Sequence, residues 1–263
     1  MSVQKLFDLL WHDFNGRLCP SSVTIHELLK QNKVLINDHI ALRTFACSPI
    51  DLKVLAKPLL ELGYQAGGEY VFTAKKLLAK HYQHPDPLMP KVFISELQLD
   101  QCSSELRTIV AKLVSQIDDG QLEGSDFLHG GRLWNLSFAD YQQLAKESEY
   151  ASWVAAHGFG ANHFTVSVNQ LAQFQDVAEV NAFLKQKGFV INASGGEVKG
   201  TPQVRLEQSS TMADKVNVAF SDGEHMIPGG FYEFAKRYEV SQGKLYQGFV
   251  EASADKIFES TNK

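Results

Sequence analysis

Cysteine is scarce in this chain: Cys19, Cys47 and Cys102 are the only three, and none has CxxC spacing. An odd, scattered set excludes a disulfide framework and a cysteine-rich zinc site, and it suits a reducing cytoplasm. An excess of base is also lacking. Lys and Arg number 25 against 30 Asp and Glu, a formal net charge of −5, and the cations are scattered rather than striped, which argues against a nucleic-acid partner. No segment approaches the roughly 18 consecutive apolar residues of a membrane span. Met1 to Phe14 interrupts its apolar residues with Asp8, His12 and Asp13, unlike the core of a signal peptide. These absences predict a soluble globular protein, whose 263 residues, 44% hydrophobic, supply ample core.

What the chain does have is a repeat. Asn37-Asp38-His39-Ile40-Ala41-Leu42-Arg43 and Ala161-Asn162-His163-Phe164-Thr165-Val166-Ser167 correspond, with His163 lying 124 residues (163 − 39) after His39. Leu62-Gly63-Tyr64 falls near Lys187-Gly188-Phe189, displaced by one residue, and Lys91-Val92-Phe93-Ile94 overlies Lys215-Val216-Asn217-Val218. Self-similarity at a fixed period settles architecture before any single residue is interpreted.

Helical spacing of Val3, Leu6, Phe7, Leu10, Trp11 and Phe14 predicts a first helix closed by Gly16, and Thr24 with Glu27 has capping-box spacing in a second, Val23 to Gln31. The first copy reads as a strand Asp38 to Phe45, a helix Ile50 to Leu62, and strands around Tyr70-Val71-Phe72 and Val92-Phe93-Ile94. The second reads as a strand His163 to Val168, a helix Phe174 to Gln186, and strands near Phe189-Val190-Ile191, Val204 to Gln208 and Val216 to Phe220. Between them, Ser103 to Ile117 and Phe138 to Ala156 read as helices, joined by a Gly-rich stretch. After the turn signal Ile227-Pro228-Gly229-Gly230 comes a last strand, Gly230 to Arg237. The expected fold is α+β: paired βαβββ modules forming a cupped mixed sheet, as one catalytic domain over 1–263. Its parts are a helical N-terminal segment (1–36), a first module (37–98), a helical insertion (99–160), a second module (161–240) and a tail (241–263).

Residues two apart on a strand share a face, so His39, Ala41 and Arg43 point one way and His163, Thr165 and Ser167 do likewise in the second copy. A pseudo-twofold relation between the copies would bring the two histidines together, and Glu233 would add a carboxylate from the last strand. Two imidazoles and a carboxylate with open positions is the donor set of non-haem Fe(II) oxygen chemistry. Arg43 offers a guanidinium fork to a substrate carboxylate. Taken singly, each residue also has a plainer explanation. A strand histidine is commonly structural, Glu233 a solvated carboxylate, and Arg43 a surface cation or salt-bridge partner. His81 and His84, at i, i+3 before Pro85 and Pro87, are either an alternative ligand pair or part of a polar loop. Gln208 and Ser210 either line the pocket or belong to a sheet edge.

Together these motifs resemble the vicinal-oxygen-chelate superfamily. Asn37-Asp-His-Ile-Ala-Leu-Arg-Thr-Phe45, Val92-Phe-Ile-Ser-Glu-Leu97, Leu206-Glu-Gln-Ser-Ser-Thr211 and Gly230-Phe-Tyr-Glu-Phe-Ala-Lys-Arg237 resemble the 2-oxoadipate dioxygenase/decarboxylase family, also called hydroxyglutarate synthases, over nearly the whole chain. The last two motifs are also similar to those of 4-hydroxyphenylpyruvate dioxygenase and hydroxymandelate synthase. The resemblance implies Fe(II) held by His39, His163 and Glu233 and a substrate held by Arg43 as the catalytic anchor; with that anchor, the expected substrate site comprises His39, Arg43, Gln208 and Ser210. The resemblance also implies conversion of a 2-oxo dicarboxylic acid, 2-oxoadipate, with O₂ to 2-hydroxyglutarate and CO₂, a step of lysine catabolism. Two other classes stay open at this point. One is a glyoxalase-like isomerase or lyase with Glu96 as a fourth ligand, and the other a noncatalytic binding protein of the same fold.

Overall fold

A computed structural model describes residues 1–30, 34–118 and 120–261. The chain opens with α1 (Val3–Asp13), which buries Leu6, Phe7 and Leu10. Gly16 does not end this segment, because the helix widens into a π-turn over Phe14–Leu18 that keeps Phe14 and Leu18 in the core. Next, α2 spans Ser21–Lys30. It begins ahead of Thr24 because Asp214 accepts the Ser21 N–H at 2.7 Å and caps the first turn from another part of the chain. Thr24 and Glu27 therefore form no capping box, and the expected end at Gln31 lies outside the described residues.

The first module follows as β1 (Asn37–Phe45), α3 (Leu52–Glu61), β2 (Gln65–Phe72), β3 (Leu77–Gln83) and β4 (Lys91–Leu97). Strand β3 lies where a Pro-rich loop was expected around His81. Leu77, Ala79 and His81 alternate inward along it, and the chain leaves the sheet only at His84. The insertion contributes α4 (Ser104–Val114), α5 (Phe138–Glu147) and α6 (Glu149–His157). The single helix expected over Phe138–Ala156 is two, broken at Ser148. Its extended backbone (φ −145°) and side chain, which accepts the Ala151 N–H, start α6 afresh. The second module is β5 (Ala161–Ser167), α7 (Val177–Gln186), β6 (Lys199–Thr201), β7 (Leu206–Ser210), a hairpin of β8 (Lys215–Phe220) and β9 (Gly223–Pro228), and β10 (Phe231–Arg237). A small ribbon of β11 (Glu239–Ser241) and β12 (Lys244–Leu245) leads to α8 (Glu251–Ile257) and a closing 3₁₀ turn, Phe258–Thr261.

Among the described residues, eight strands form one cupped sheet in the order β2-β3-β4-β1-β5-β10-β7-β6. That order reads the same from either edge. β1 and β5 pair antiparallel at the centre, and each lies parallel to the last strand of its own module, β4 or β10. Even the strained turns recur: among the described residues Lys76, before β3, and Arg205, before β7, are the two non-glycine residues with positive φ, at 58° and 65°.

The overlay of Lys91–Ile94 on Lys215–Val218 does not survive. Residues 215–220 pair only with β9, and the counterpart of β4 is β10. The offset grows from 125 at Gly63/Gly188 to 129 at Lys76/Arg205 and 140 at Phe93/Glu233 (188 − 63, 205 − 76, 233 − 93). A Gly195-Gly196 loop and the β8–β9 hairpin account for the growth. The same loop splits the strand expected at 189–191, leaving only an isolated bridge from Ile191 to Thr211. Into β10 the chain passes through Gly229 and Gly230. A Cβ there would lie 2.3 Å from the Leu18 carbonyl oxygen or 2.7 Å from that of Asn162, so larger residues are excluded.

The convex face is the main core. Trp11 and Phe14 pack 5.1 Å from Phe164, and α3 and α7 cover the two wings. Each fully buried large side chain there contributes about 1.5–3 kcal/mol. On the concave face, α6 covers the end of β1 while α8 lies over β2, β6 and β7. That face holds the polar residues.

Candidate metal centre

Strand register builds the site. His39 pairs with Thr165 and Thr165 with Glu233, so these three stand in one row across β1, β5 and β10, while His163 sits one step along, opposite Ala41. The donor atoms of His39, His163 and Glu233 all lie within 4.8 Å of one another. His39 Nε2 is 3.5 Å from Glu233 Oε1, and His163 Nε2 is 3.1 Å from Oε2. All three residues are buried, Glu233 completely.

Hydrogen bonds on the far side of each ring settle which nitrogen faces inward. His39 Nδ1 donates to Asp38 Oδ1 at 2.8 Å, and His163 Nδ1 to Asn162 Oδ1 at 3.1 Å. Both Nε2 lone pairs are thereby turned toward a carboxylate whose Oε2 accepts no hydrogen bond. The Thr165 hydroxyl also stands 3.1 Å from His39 Nε2. Burial, helped by His39 and Arg43, holds His163 well below its usual pKa, so it is neutral. Burial raises Glu233, with His39 and the Gln208 hydrogen bond pulling the other way. Two imidazole nitrogens converging on a carboxylate with an unpartnered oxygen are what a divalent cation satisfies, so this donor set fits a metal.

Behind His39 lies a support that sequence reasoning missed. Arg237 donates to Asp38 through Nε at 2.6 Å and Nη2 at 2.8 Å, and through Nη1 to the carbonyls of Tyr246 and Gly248 at 3.0 and 2.7 Å. Burial alone would raise the Asp38 carboxyl, but Arg237 and His39 outweigh it and hold the group well below the usual range. Phe249 closes this side, edge-on to His39 at 4.8 Å. The only hint of the relay in the sequence is that Arg237 shares the strand parity of Glu233.

Arg43 is the contrasting case. Its side chain is 1% exposed and ringed by Tyr150, Trp153 and Phe258 at 5.0, 5.1 and 5.4 Å. Yet among the described residues it makes only two long polar contacts, to Glu149 at 3.4 Å and Thr261 at 3.5 Å, and its Nε has none. It is no surface cation. Gln208 donates to Glu233 Oε1 at 2.7 Å and leaves its own Oε1 unbonded, while Ser210 shares a 2.7 Å hydrogen bond with Ser260. Both lie on β7, an interior strand, so the sheet-edge reading fails. A cavity of about 20 Å³, room for about one water, remains among His39, His163, Gln208, Glu233, Phe249 and Phe258.

Two candidates fall away. Glu96 points to the outer face, where its Oε2 accepts the Leu52 N–H at 2.9 Å at the start of α3. The pseudo-symmetric counterpart of Glu233 is Phe93, which pairs with Ala41 as Glu233 pairs with Thr165, so no fourth ligand stands there. His81 accepts from the Gly68 N–H and the Tyr70 hydroxyl, whereas His84 accepts from the Asp86 N–H, and the two do not converge.

The family described as 2-oxoadipate dioxygenase/decarboxylase matches the chain over residues 2–123 and 125–244. The Arabidopsis thaliana chloroplastic 2-oxoadipate dioxygenase/decarboxylase is 34% identical over 270 residues, covering 92% of this chain and 73% of that protein. The Oryza sativa hydroxyglutarate synthase, solved in complex with 2-oxoadipate, superposes with a TM-score of 0.92 at 31% identity, covering 98% of this chain and 91% of that one. A Shewanella frigidimarina crystal structure, described only as a hydrolase, gives a TM-score of 0.91 at 52% identity, covering 95% and 98%.

Proposed function

Since the chain belongs to the 2-oxoadipate dioxygenase/decarboxylase family, we propose that it is an Fe(II)-dependent enzyme converting 2-oxoadipate and O₂ to 2-hydroxyglutarate and CO₂. His39, His163 and Glu233 would hold the iron, and the whole chain acts as one catalytic unit because each module supplies a histidine. One observation carries the substrate reading. His39 and Arg43 share a face of β1 four residues, about 13 Å, apart. A metal-chelating 2-oxo acid head and a distal carboxylate a few methylenes away can span that distance.

Bound there, Fe(II) supplies Lewis acidity toward the 2-oxo acid and the electron chemistry that O₂ requires. The protein's own residues do the rest. Asp38 and Asn162 keep both imidazoles in the tautomer that presents Nε2, and Gln208 fixes the Glu233 carboxylate. Phe249, Ile257 and Phe258 exclude water from the reacting end. Arg43 holds the distal carboxylate, so the carbon to be hydroxylated stays at the site after CO₂ leaves. Gln208 and Ser210 offer hydrogen bonds to the substrate.

Among the described residues no helix is long and apolar enough to cross a membrane. The three cysteines are free, which fits a reducing setting such as the cytoplasm, and a place in lysine catabolism would follow from the proposed 2-oxoadipate substrate. The test is an oxygen-electrode assay of Fe(II)-reconstituted protein against a panel of 2-oxo acids. One O₂ should disappear and one CO₂ appear per 2-oxoadipate, with ¹⁸O from O₂ in the new hydroxyl and one carboxylate. Turnover without O₂, or a need for a separate hydroxyl acceptor, removes the assignment.

A further inference from the structure

Among the described residues two arginines are buried on the concave face, and their polar partners there differ sharply. Arg237 has a bidentate carboxylate and two carbonyls, whereas Arg43 has one carboxylate at 3.4 Å and one hydroxyl at 3.5 Å for its five N–H donors. Glu149 is the sole carboxylate within ion-pair distance of Arg43 among the described residues. A buried guanidinium needs compensating charge, so this contact neutralises it in the resting protein. The bond is nonetheless poor, and Glu149 is 31% exposed.

Glu149 also stands at an opening. A cavity of about 200 Å³ lies outside the site, lined by Tyr141, Glu149, Ser152, Trp153 and Thr261 among others. Both polar partners of Arg43 line it. The inner cavity at the histidines is about 20 Å³, so a six-carbon diacid cannot fit there unless lining side chains give way, among them Phe258, which also packs on Arg43. Glu149 has somewhere to go. As the first residue of α6, it keeps a favourable position at the helix N-terminus when it turns into the vestibule.

We propose that Glu149 is a displaceable counter-ion that sets affinity for the distal carboxylate: an incoming 2-oxo diacid enters from the vestibule, keto end first, and takes Arg43 from Glu149. No bond is made or broken, since one carboxylate exchanges for another on a single guanidinium. The consequence is selective. Glu149 competes with diacids and not with monoacids, and it speeds release of a diacid product.

This rests on the diacid reading above, and the experiment separates the two. Fe(II)-loaded protein is titrated calorimetrically under argon with 2-oxoadipate and with 2-oxohexanoate, which has the same chain length and no distal carboxylate. Glu149→Gln should bind 2-oxoadipate about fivefold more tightly, the scale of a partly exposed ion pair, and leave 2-oxohexanoate within about twofold. In air, KM for the diacid should fall while kcat does not rise. Glu149→Asp keeps the charge that folding needs while shortening its reach, and should shift diacid affinity the same way by less. Unchanged or weaker diacid binding in whichever variant folds, or equal tightening of the monoacid, overturns the proposal. Wild-type protein that binds no 2-oxo diacid removes the functional reading, and this inference with it.

Discussion

Replacing Asp38 with Asn tests the support behind His39 with almost no change of shape. In the native site Oδ1 accepts from both His39 Nδ1 and Arg237 Nη2, and Oδ2 accepts from Arg237 Nε. An amide nitrogen in the Oδ2 position faces the Arg237 Nε–H. In the Oδ1 position it faces two N–H groups and drives His39 into the other tautomer, with a proton on the nitrogen meant for the metal. Either way at least one charge-assisted bond is lost, worth about 1.5–3 kcal/mol. Arg237 also becomes an uncompensated buried charge, which puts the whole destabilisation near 3–5 kcal/mol. Metal affinity should fall about 10- to 100-fold, the usual effect of removing such a partner. Denaturant unfolding of the metal-free protein measures the first quantity, and competition against a chelator of known affinity measures the second. An Asp38→Asn protein with native stability and native metal affinity would refute the relay.

His39→Ala, His163→Ala and Glu233→Ala should each abolish stoichiometric Fe(II) binding while His84→Ala does not, as metal analysis after desalting will show; metal retained by all three would place the site elsewhere. Arg43→Ala should keep its metal but lose about 1.5–3 kcal/mol of diacid binding, roughly ten- to over a hundredfold, with Arg43→Lys restoring only part because a point charge cannot replace the fork. Unchanged kinetics in both variants would return Arg43 to a structural role. Burial pushes His157 down to about 3. The unfolded chain therefore takes up its proton first, so this contribution is complete above about pH 6.5 and is lost as pH falls toward 3, with about 2 kcal/mol already lost at pH 5. His157→Gln, which can still donate to the Pro228 carbonyl, should flatten that part of the stability–pH curve, and an unaltered slope would exclude His157 as its source.

The sequence by itself determined the repeated module and the faces of β1 and β5, and it singled out His39, His163 and Glu233, whose donor atoms the structure brings within 4.8 Å of one another, and Arg43, which the structure buries. The module, the faces and the motifs are local properties: alternation along a strand shows which residues share a face, and a duplicated motif shows which faces correspond. Only the tertiary structure decided the rest, because it depends on contacts between distant residues. Asp38 meets Arg237 from 199 positions away, and nothing in either motif announces the pairing. The β8–β9 hairpin and the glycine loop shifted the repeat, so that a match in sequence at Lys215 marked an insertion and Phe93 became the true partner of Glu233. Asp214 moved the start of α2, and Ser148 divided a helix that periodicity alone would join. The tail, which carried no motif, supplies Phe249, Phe258 and Thr261 around the two arginines, because covering the concave face removes its apolar surface from water, a gain that depends on packing between segments far apart in sequence.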